Sequence, residues 1–493
     1  MDDLVSQPKP PLRDVRSSPF ALDVRSLAVG RVLLGTILVV DAAVRSSHAA
    51  ETLSPDGFLP PDLVRRFVGH PWGWSLALLD EGGAWGGPLL VAEGISGAML
   101  AAGFCTRLTT LFAWVTLVSL VRRTAPMTNA GDVFLACLLF WGCFLPLGAV
   151  WSVDALRRGA PPAATEVRGV AAWALVLQVC AVYLSAGLGK CNETWWSGDA
   201  VSYALSVHDH GTPLGDALAS SGLPARLSTW CTPLLELGGA ALVFAPGVRL
   251  PLVILFVAFH LAIALSMDVC LFPWVGIAAW TMLVPGRAWP RTRGAAASGG
   301  VLPAPASPAG RAACVAAMAL AAAAFAHANG PWNDRPAPWG VRHAVALTML
   351  EQDWRVFGEL RRQRQWTYAE AILADGSTVD LLRGGRPVER VLPAGGFHSI
   401  GDQRLQKLLW EIPKPDRRVF ADAIAARLAR DWNATHTGDR RVESLELRGG
   451  RRIGATDAGS VQDVLLASWP ERSPRGGGNL ERFLLGHPAD RDD

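Results

Sequence analysis

Nine apolar runs, near 24–44, 87–104, 107–122, 132–151, 168–188, 230–247, 250–267, 271–286 and 311–328, govern what this chain can become. A helix that crosses a bilayer needs roughly 17–25 apolar residues, and fewer where a neighbour packs over it. The third and eighth runs are short, and the second and third meet in a tight turn at Thr106-Arg107. Half of the 493 residues are hydrophobic and the mean hydropathy is +0.25, too apolar for an ordinary soluble protein. The expected fold is an all-α polytopic membrane helix bundle of about nine spans, with a small C-terminal α+β domain outside the membrane.

Loop charge gives an orientation. Arg107, Arg157, Arg158, Arg168, Arg249, Arg287, Arg291 and Arg293 fall in alternate loops, on the side that also holds the N-terminus. Positive loops stay cytoplasmic, so the chain reads as a multi-pass protein of the plasma or inner membrane with its N-terminus inside. Nine spans then put the C-terminal domain outside the cytoplasm. Arg122 and Arg123 break the pattern. No small-residue cleavage site follows the first run, which therefore reads as a retained anchor. The expected organisation is a cytoplasmic tail over 1–23, a transmembrane domain over 24–328, an extracytoplasmic α+β domain over 335–470 and a disordered tail over 471–493.

The outer loop 45–86 carries a turn at Ser54-Pro-Asp-Gly57 and tryptophans at Trp72 and Trp74, which place it at the headgroup layer. Segment 294–310 is Ala, Gly, Ser and Pro apart from Val301 and Leu302, and reads as a flexible linker. Beyond 335, Thr367–Leu382 reads as a hairpin turning at Asp375-Gly376, 416–432 as a helix capped by Asp416, and Val442–Leu447 as a strand. The net charge of +3 gives no reason to expect a nucleic-acid partner. The eight cysteines show no CxxC spacing, so no metal site is expected; Cys191 and Cys231 flank one polar loop and could pair on an oxidising side.

Ionisable groups inside a span cost about 2.5–3.5 kcal/mol each on insertion scales, so each needs a reason. They are Arg31 and Asp41 in the first run, Glu93 in the second, Glu236 in the sixth and His260 in the seventh, with Asp132 and Lys190 at run ends. They are expected to face inward and satisfy one another around a polar interior. Lys190 stands out, because the chain has four lysines against forty-two arginines. Lysine, unlike arginine, can give up its proton when buried. A lysine, a histidine and an acid in one interior can hold a proton or an oxyanion, which makes Lys190, His260 and Glu236 the candidate catalytic residues. Each also has a structural reading: Lys190 can snorkel to the interface, His260 can join two helices, Glu236 can pair with an arginine, and Asp132 can cap a helix.

Several landmarks go together: Ser54-Pro-Asp-Gly-Phe-Leu-Pro60, Gly131-Asp132, Trp151-Ser-Val-Asp-Ala-Leu156, Tyr183-Leu-Ser-Ala-Gly-Leu-Gly-Lys190, Trp196-Ser-Gly198, Phe259-His260 and Leu271-Phe-Pro273. With them the chain resembles, over about 20–470, the bacterial HTTM (horizontally transferred transmembrane domain) proteins, similar to vitamin K-dependent γ-glutamyl carboxylase. The resemblance implies nine spans and an outer C-terminus. It also implies that Lys190 matches the lysine serving oxygenation of a reduced quinone of the vitamin K or menaquinol type, with His260 matching a later histidine. In the carboxylase that oxygenation yields an epoxide and a strong base, which takes a proton from a glutamate γ-carbon of a secreted protein substrate. The carboxylases carry an Asn-His pair before the span that ends at Trp-Ser-Val-Asp. Counted back without gaps, those places are Ala130 and Gly131 here, with Asn129 one place away. The outer domain is also small for the propeptide-binding apparatus of the animal enzyme. Two functions follow as expectations: quinol-dependent oxygenation, with or without glutamate carboxylation, or a non-catalytic membrane protein that binds lipid or a protein partner. A transporter is the weaker idea, because no broken helices or repeats mark a path.

Overall fold

The computed structural model describes residues 18–470, apart from 81, 161, 163, 208–210, 246, 291–300, 361–362, 394–395, 402 and 454–460. Most of the expected cytoplasmic tail, Arg291 and Arg293, the first part of the linker, and the tail expected over 471–493 lie outside the described residues.

Each of the nine apolar runs folds as a helix: α1 Val24–Ser46, α2 Gly86–Ala102, α3 Thr106–Arg123, α4 Ala130–Gly142, α5 Val170–Gly189, α6 Leu223–Leu242, α7 Arg249–Ser266, α8 Phe272–Thr281 and α9 Pro308–Asn329. Of these, α1, α5, α7 and α9 are long and apolar enough to cross a membrane, and α2 and α4 are shorter apolar helices. The fourth run ends nine residues early, at Gly142, where a turn from Gly142 to Leu145 and then Pro146 stop the helix. Bare backbone brings α1 against α2: a Cβ on Gly35 would lie 2.5 Å from the Gly97 carbonyl oxygen, and one on Gly97 2.7 Å from that of Gly35.

The linker expectation needs correction. Val301–Pro303 (β3) pairs in parallel with Glu166–Arg168 (β2), which pairs antiparallel with Leu22–Asp23 (β1). Val301 and Leu302, the two exceptions in an otherwise small-residue segment, are the residues that form this strand. The resulting three-stranded sheet sits just before α1, α5 and α9, and so ties three helix starts together.

A second core lies beyond the bundle. Gln363–Leu373 (β4), Thr378–Asp380 (β5), Val442–Ile453 (β6) and Val461–Trp469 (β7) form an antiparallel sheet in the order β5-β4-β6-β7. Helices Gln403–Glu411 (α10) and Ala421–Thr435 (α11) cover it. The turn at Asp375-Gly376 is present, with Gly376 at φ +80°. Asp416 is not a cap: α11 starts at Ala421 after a 3-10 turn, and Asp416 pairs on the surface with Arg417.

Two segments join the cores. From loop 45–86, Phe58, Leu59 and Val64 are buried in the second core, although Trp72 stays exposed. From the chain after 335, Met349, Leu350 and Trp354 return to the bundle core. There Gln352 exchanges hydrogen bonds with Gln178 of α5 at 3.0 Å, and Gln178 accepts from Trp141 Nε1 at 3.1 Å. Arg122 and Arg123, the exceptions to the loop-charge pattern, are spent inside the protein. Arg123 donates to the carbonyls of Leu59 and Leu53 at 2.8 and 2.9 Å, and Arg122 donates to those of Trp74 and Ala346.

A further tie is ionic. Arg404 of α10 donates to both carboxylate oxygens of Asp132 at 2.7 Å and to Asp41 at 2.7 Å. Arg45, one turn after Asp41, adds bonds to Asp41 at 2.8 Å, Asp132 at 3.0 Å and Thr124 at 3.1 Å. Two guanidinium groups thus neutralise two carboxylates out of water. Burial works against the Arg404 cation, but Asp132 and Asp41 outweigh it and raise its pKa well above the usual arginine value. Removing one member of such a cluster strands the others, at about 3–5 kcal/mol. Arg404→Ala is therefore expected to destabilise the C-terminal domain by that amount in denaturant unfolding, and Arg404→Lys to recover little, because an ammonium cannot make the forked contact.

Candidate functional site

Helix α5 carries Tyr183 and Lys190 seven residues apart. That is two turns, or about 10 Å of rise along one helix face. Each anchors a separate buried polar group.

At the C-terminal end, Lys190 is the C-cap of α5 and is 3% exposed. Its Nζ donates to Glu236 Oε1 at 3.1 Å, with Oε2 at 3.0 Å, and to the carbonyls of Val356 at 3.1 Å and Ala186 at 3.3 Å. An ammonium has three protons, and these partners take all three. The Trp195 ring lies 5.3 Å from Nζ. Glu236 reaches this point because Gly187 is bare: a Cβ there would stand 2.7 Å from Leu237 Cγ of α6.

Two turns deeper, His260 of α7 is fully buried and its Nε2 is 2.6 Å from the Tyr183 hydroxyl. Nδ1 has no partner among the described residues. The imidazole lies where a side chain on Gly276 would be, since a Cβ there would be 2.4 Å from the ring. Phe256 and Trp280, stacked at 3.9 Å, enclose the same phenol.

The ionisable groups of the apolar runs therefore do not converge on one interior. Lys190 meets Glu236, His260 meets Tyr183, Asp41 and Asp132 belong to the Arg404 cluster, and Arg31 donates to the Trp151 carbonyl at 2.6 Å. Glu93 is buried near that cluster, with both carboxyl oxygens unpartnered among the described residues. The physical reason is geometric: α5 is long enough to separate two polar sites, and each is closed by its own partner helix. Three partners escaped the sequence reading. Tyr183 was legible as the residue two turns before Lys190, and Arg45 as i+4 to Asp41, but Arg404 had no local signal.

Between the bundle and the C-terminal domain lies a chamber of about 1150 Å³. Its walls include Asn129, Leu188, Gly189, Phe272, Val356, Phe357, Gly358, Gln403, Lys407 and Trp410. Lys407 donates to the Thr128 carbonyl, and burial lowers its pKa below the usual lysine value, with Glu411 and Asp132 opposing. Lys190 is not in the wall. The backbone of Val356–Gly358 separates it from the chamber. Cys191 and Cys231 are free thiols.

The HTTM domain family matches residues 21–289, more than half of the chain. This protein belongs to that family. No curated protein and no solved structure matches it. Lys190, Glu236, Tyr183 and His260 all lie inside the HTTM domain, whereas Val356, Arg404 and Lys407 come from beyond it. Several HTTM landmarks have structural tasks here. Asp154 caps α3 by accepting from the backbone N–H groups of Cys105 and Thr106 at 2.8 and 2.7 Å. The Ser54–Gly57 turn receives Arg430, which donates to the Asp56 carbonyl at 2.7 Å. Position 131, which an ungapped count matches to the histidine of the carboxylases, is filled by the start of α8: a Cβ on Gly131 would lie 2.7 Å from the Phe272 nitrogen.

A double-mutant cycle tests the outer pair. Lys190→Met and Glu236→Leu are each expected to cost about 3–5 kcal/mol of stability, because each strands a buried charge. The double variant is expected to be close to the wild type, with denaturant unfolding in detergent as the measurement. Additive losses would show that the two groups do not depend on each other.

Proposed function

We propose that this HTTM-domain membrane protein is a quinol-dependent oxygenase in which Lys190 and Glu236 handle the proton and the developing charge. The observation that carries the reading is a buried lysine–carboxylate pair at the outer end of α5, one backbone thickness from a chamber of about 1150 Å³. A buried ammonium can stabilise an oxyanion, and its carboxylate partner can accept and return the proton. Leu188, Phe272, Phe357 and Trp410 offer apolar faces to a quinol ring and Gln403 and Lys407 offer donors, beside a charged part of the wall formed by Glu359, Glu411, Lys414 and Arg417. A bound reduced quinone would supply the electrons for oxygenation to its epoxide. His260, bonded to Tyr183 two turns away, belongs to a separate buried pair and has no part in this reading.

Glutamate carboxylation has less support, because no side chain fits at Gly131 in this packing. Asn129 is nearby, but its Oδ1 is committed to the backbone N–H groups of Gly131 and Asp132 at 2.9 and 3.3 Å. A secreted protein substrate is therefore the less favoured part of the reading. A second reading has its own observation: every proton of Lys190 is already taken. In that reading the pair only joins α5 to α6, and the protein binds lipid or a protein partner without catalysis.

The purified protein, given reduced vitamin K or menaquinol and oxygen, is expected to form epoxide, and Lys190→Ala to lose at least about 99% of that rate. Equal inactivity of both proteins across a range of quinols would favour the non-catalytic reading. The membrane orientation we propose puts the N-terminus inside and the outer domain outside the cytoplasm. Glu443→Cys, made with Cys105, Cys191 and Cys231 replaced by serine, is expected to react with an impermeant thiol reagent on intact cells. Labelling only after the cells are broken would reverse that orientation.

A further inference from the structure

The backbone between the chamber and Lys190 is a five-residue strap, Arg355–Glu359, fixed at both ends. Before it, Trp354 is 1% exposed in the bundle core, with its N–H on Ser185 Oγ at 3.0 Å. After it, Leu360 is buried with Trp195, Ala200 and Ala204. Between these anchors three strap carbonyls accept from side chains of a single loop. Val356 takes Lys190 Nζ at 3.1 Å, Phe357 takes Trp195 Nε1 at 2.9 Å, and Gly358 takes Asn192 Nδ2 at 2.7 Å. The N–H groups of Val356 and Gly358 bond within the segment, to the carbonyls of Trp354 and Arg355 at 2.7 and 3.0 Å. Lifting the strap would therefore break these three side-chain bonds and pull Phe357 from its packing against the Trp195–Leu360 cluster, with no strand ladder to undo. Phe357 sits at φ +57°, a left-handed conformation that a bulky residue holds only when its surroundings impose it. The other face is wet: Arg355 and Asp353 are exposed and pair with each other.

We propose that the strap Arg355–Glu359 is a hinged partition, and that Lys190 and Glu236 reach a ligand in the chamber only when it lifts. Closed, the Val356 carbonyl occupies one of the three ammonium protons. Open, that proton faces the chamber and is free for an acceptor oxygen on the ligand. The partition resolves a conflict in the site, namely a lysine whose donors are all used beside a large empty space it does not touch. Its functional meaning rests on the oxygenase reading above. The movement itself does not, and the experiment below reads access alone, so a failed quinol assay and a failed strap are distinguishable.

The geometry offers its own lock. A Cβ on Gly189 would stand 3.0 Å from Arg355 Cβ, close to the roughly 3.5–4.5 Å that a disulfide spans between Cβ atoms. The full-length Gly189→Cys, Arg355→Cys protein is treated by reductive methylation in detergent, and Lys190 is followed by peptide mass spectrometry against the more exposed Lys414. In the reduced protein Lys190 is expected to react measurably but more slowly than Lys414. Oxidation is expected to slow Lys190 by roughly tenfold or more, with Lys414 unchanged, and reduction to restore it. Trp195→Phe keeps a ring over the ammonium but removes the donor to Phe357, and is expected to speed Lys190 modification several-fold. Equal Lys190 rates in the oxidised and reduced forms would overturn the partition, as would a Lys190 that never reacts while Lys414 does. Should the double-cysteine protein misfold, Trp195→Phe decides alone, and an unchanged rate overturns the proposal.

Discussion

Charge taken out of water has to be matched on the spot, and this requirement shapes the molecule more than its apolar surface does. Burying an unpaired ion costs several kcal/mol even after relaxation, so each ionised side chain inside needs a partner placed within about 3 Å. The chain meets the requirement in three ways. Arg404 reaches from the C-terminal domain to two aspartates on different helices. Arg122 and Arg123 use backbone carbonyls as acceptors. Lys190 uses one carboxylate and two carbonyls. Missing side chains make the matching possible, since Gly187 lets α6 approach and Gly276 makes room for the imidazole.

The apolar runs made the helices legible, because a long unbroken hydrophobic stretch has few other fates. The hairpin at Asp375-Gly376 was equally readable, since only a few residues accept the turn geometry there. Pairing across the fold was not readable. Asp41 and Arg404 are 363 residues apart, and no periodicity records such a contact. The same limit applies at the site. Lys190 and Glu236 could each be singled out as polar residues in apolar surroundings, yet nothing local showed that they meet each other while His260 meets Tyr183. Asp416 failed for a different reason: an acidic residue before a helical pattern is a good cap only if the helix starts there, and a 3-10 turn intervenes.

The HTTM domain and the region after it share the work unevenly. The domain supplies the polar residues of α5, α6 and α7. The later chain supplies what covers them, through Val356 over the lysine and the return of Gln352 to the bundle interior. The C-terminal sheet is thus joined to the bundle through apolar, ionic and backbone contacts at once.

Gly131 has a consequence for engineering across this family. The space beside Gly131 is held by the entry of α8, whose Phe272 nitrogen leaves no volume for even a methyl group. Grafting a histidine there would push a helix aside before it could donate or accept anything. Seating any side chain at position 131 would require re-routing the turn from Met267 to Leu271, so the constraint is written in the path of the backbone and not in one replaceable letter.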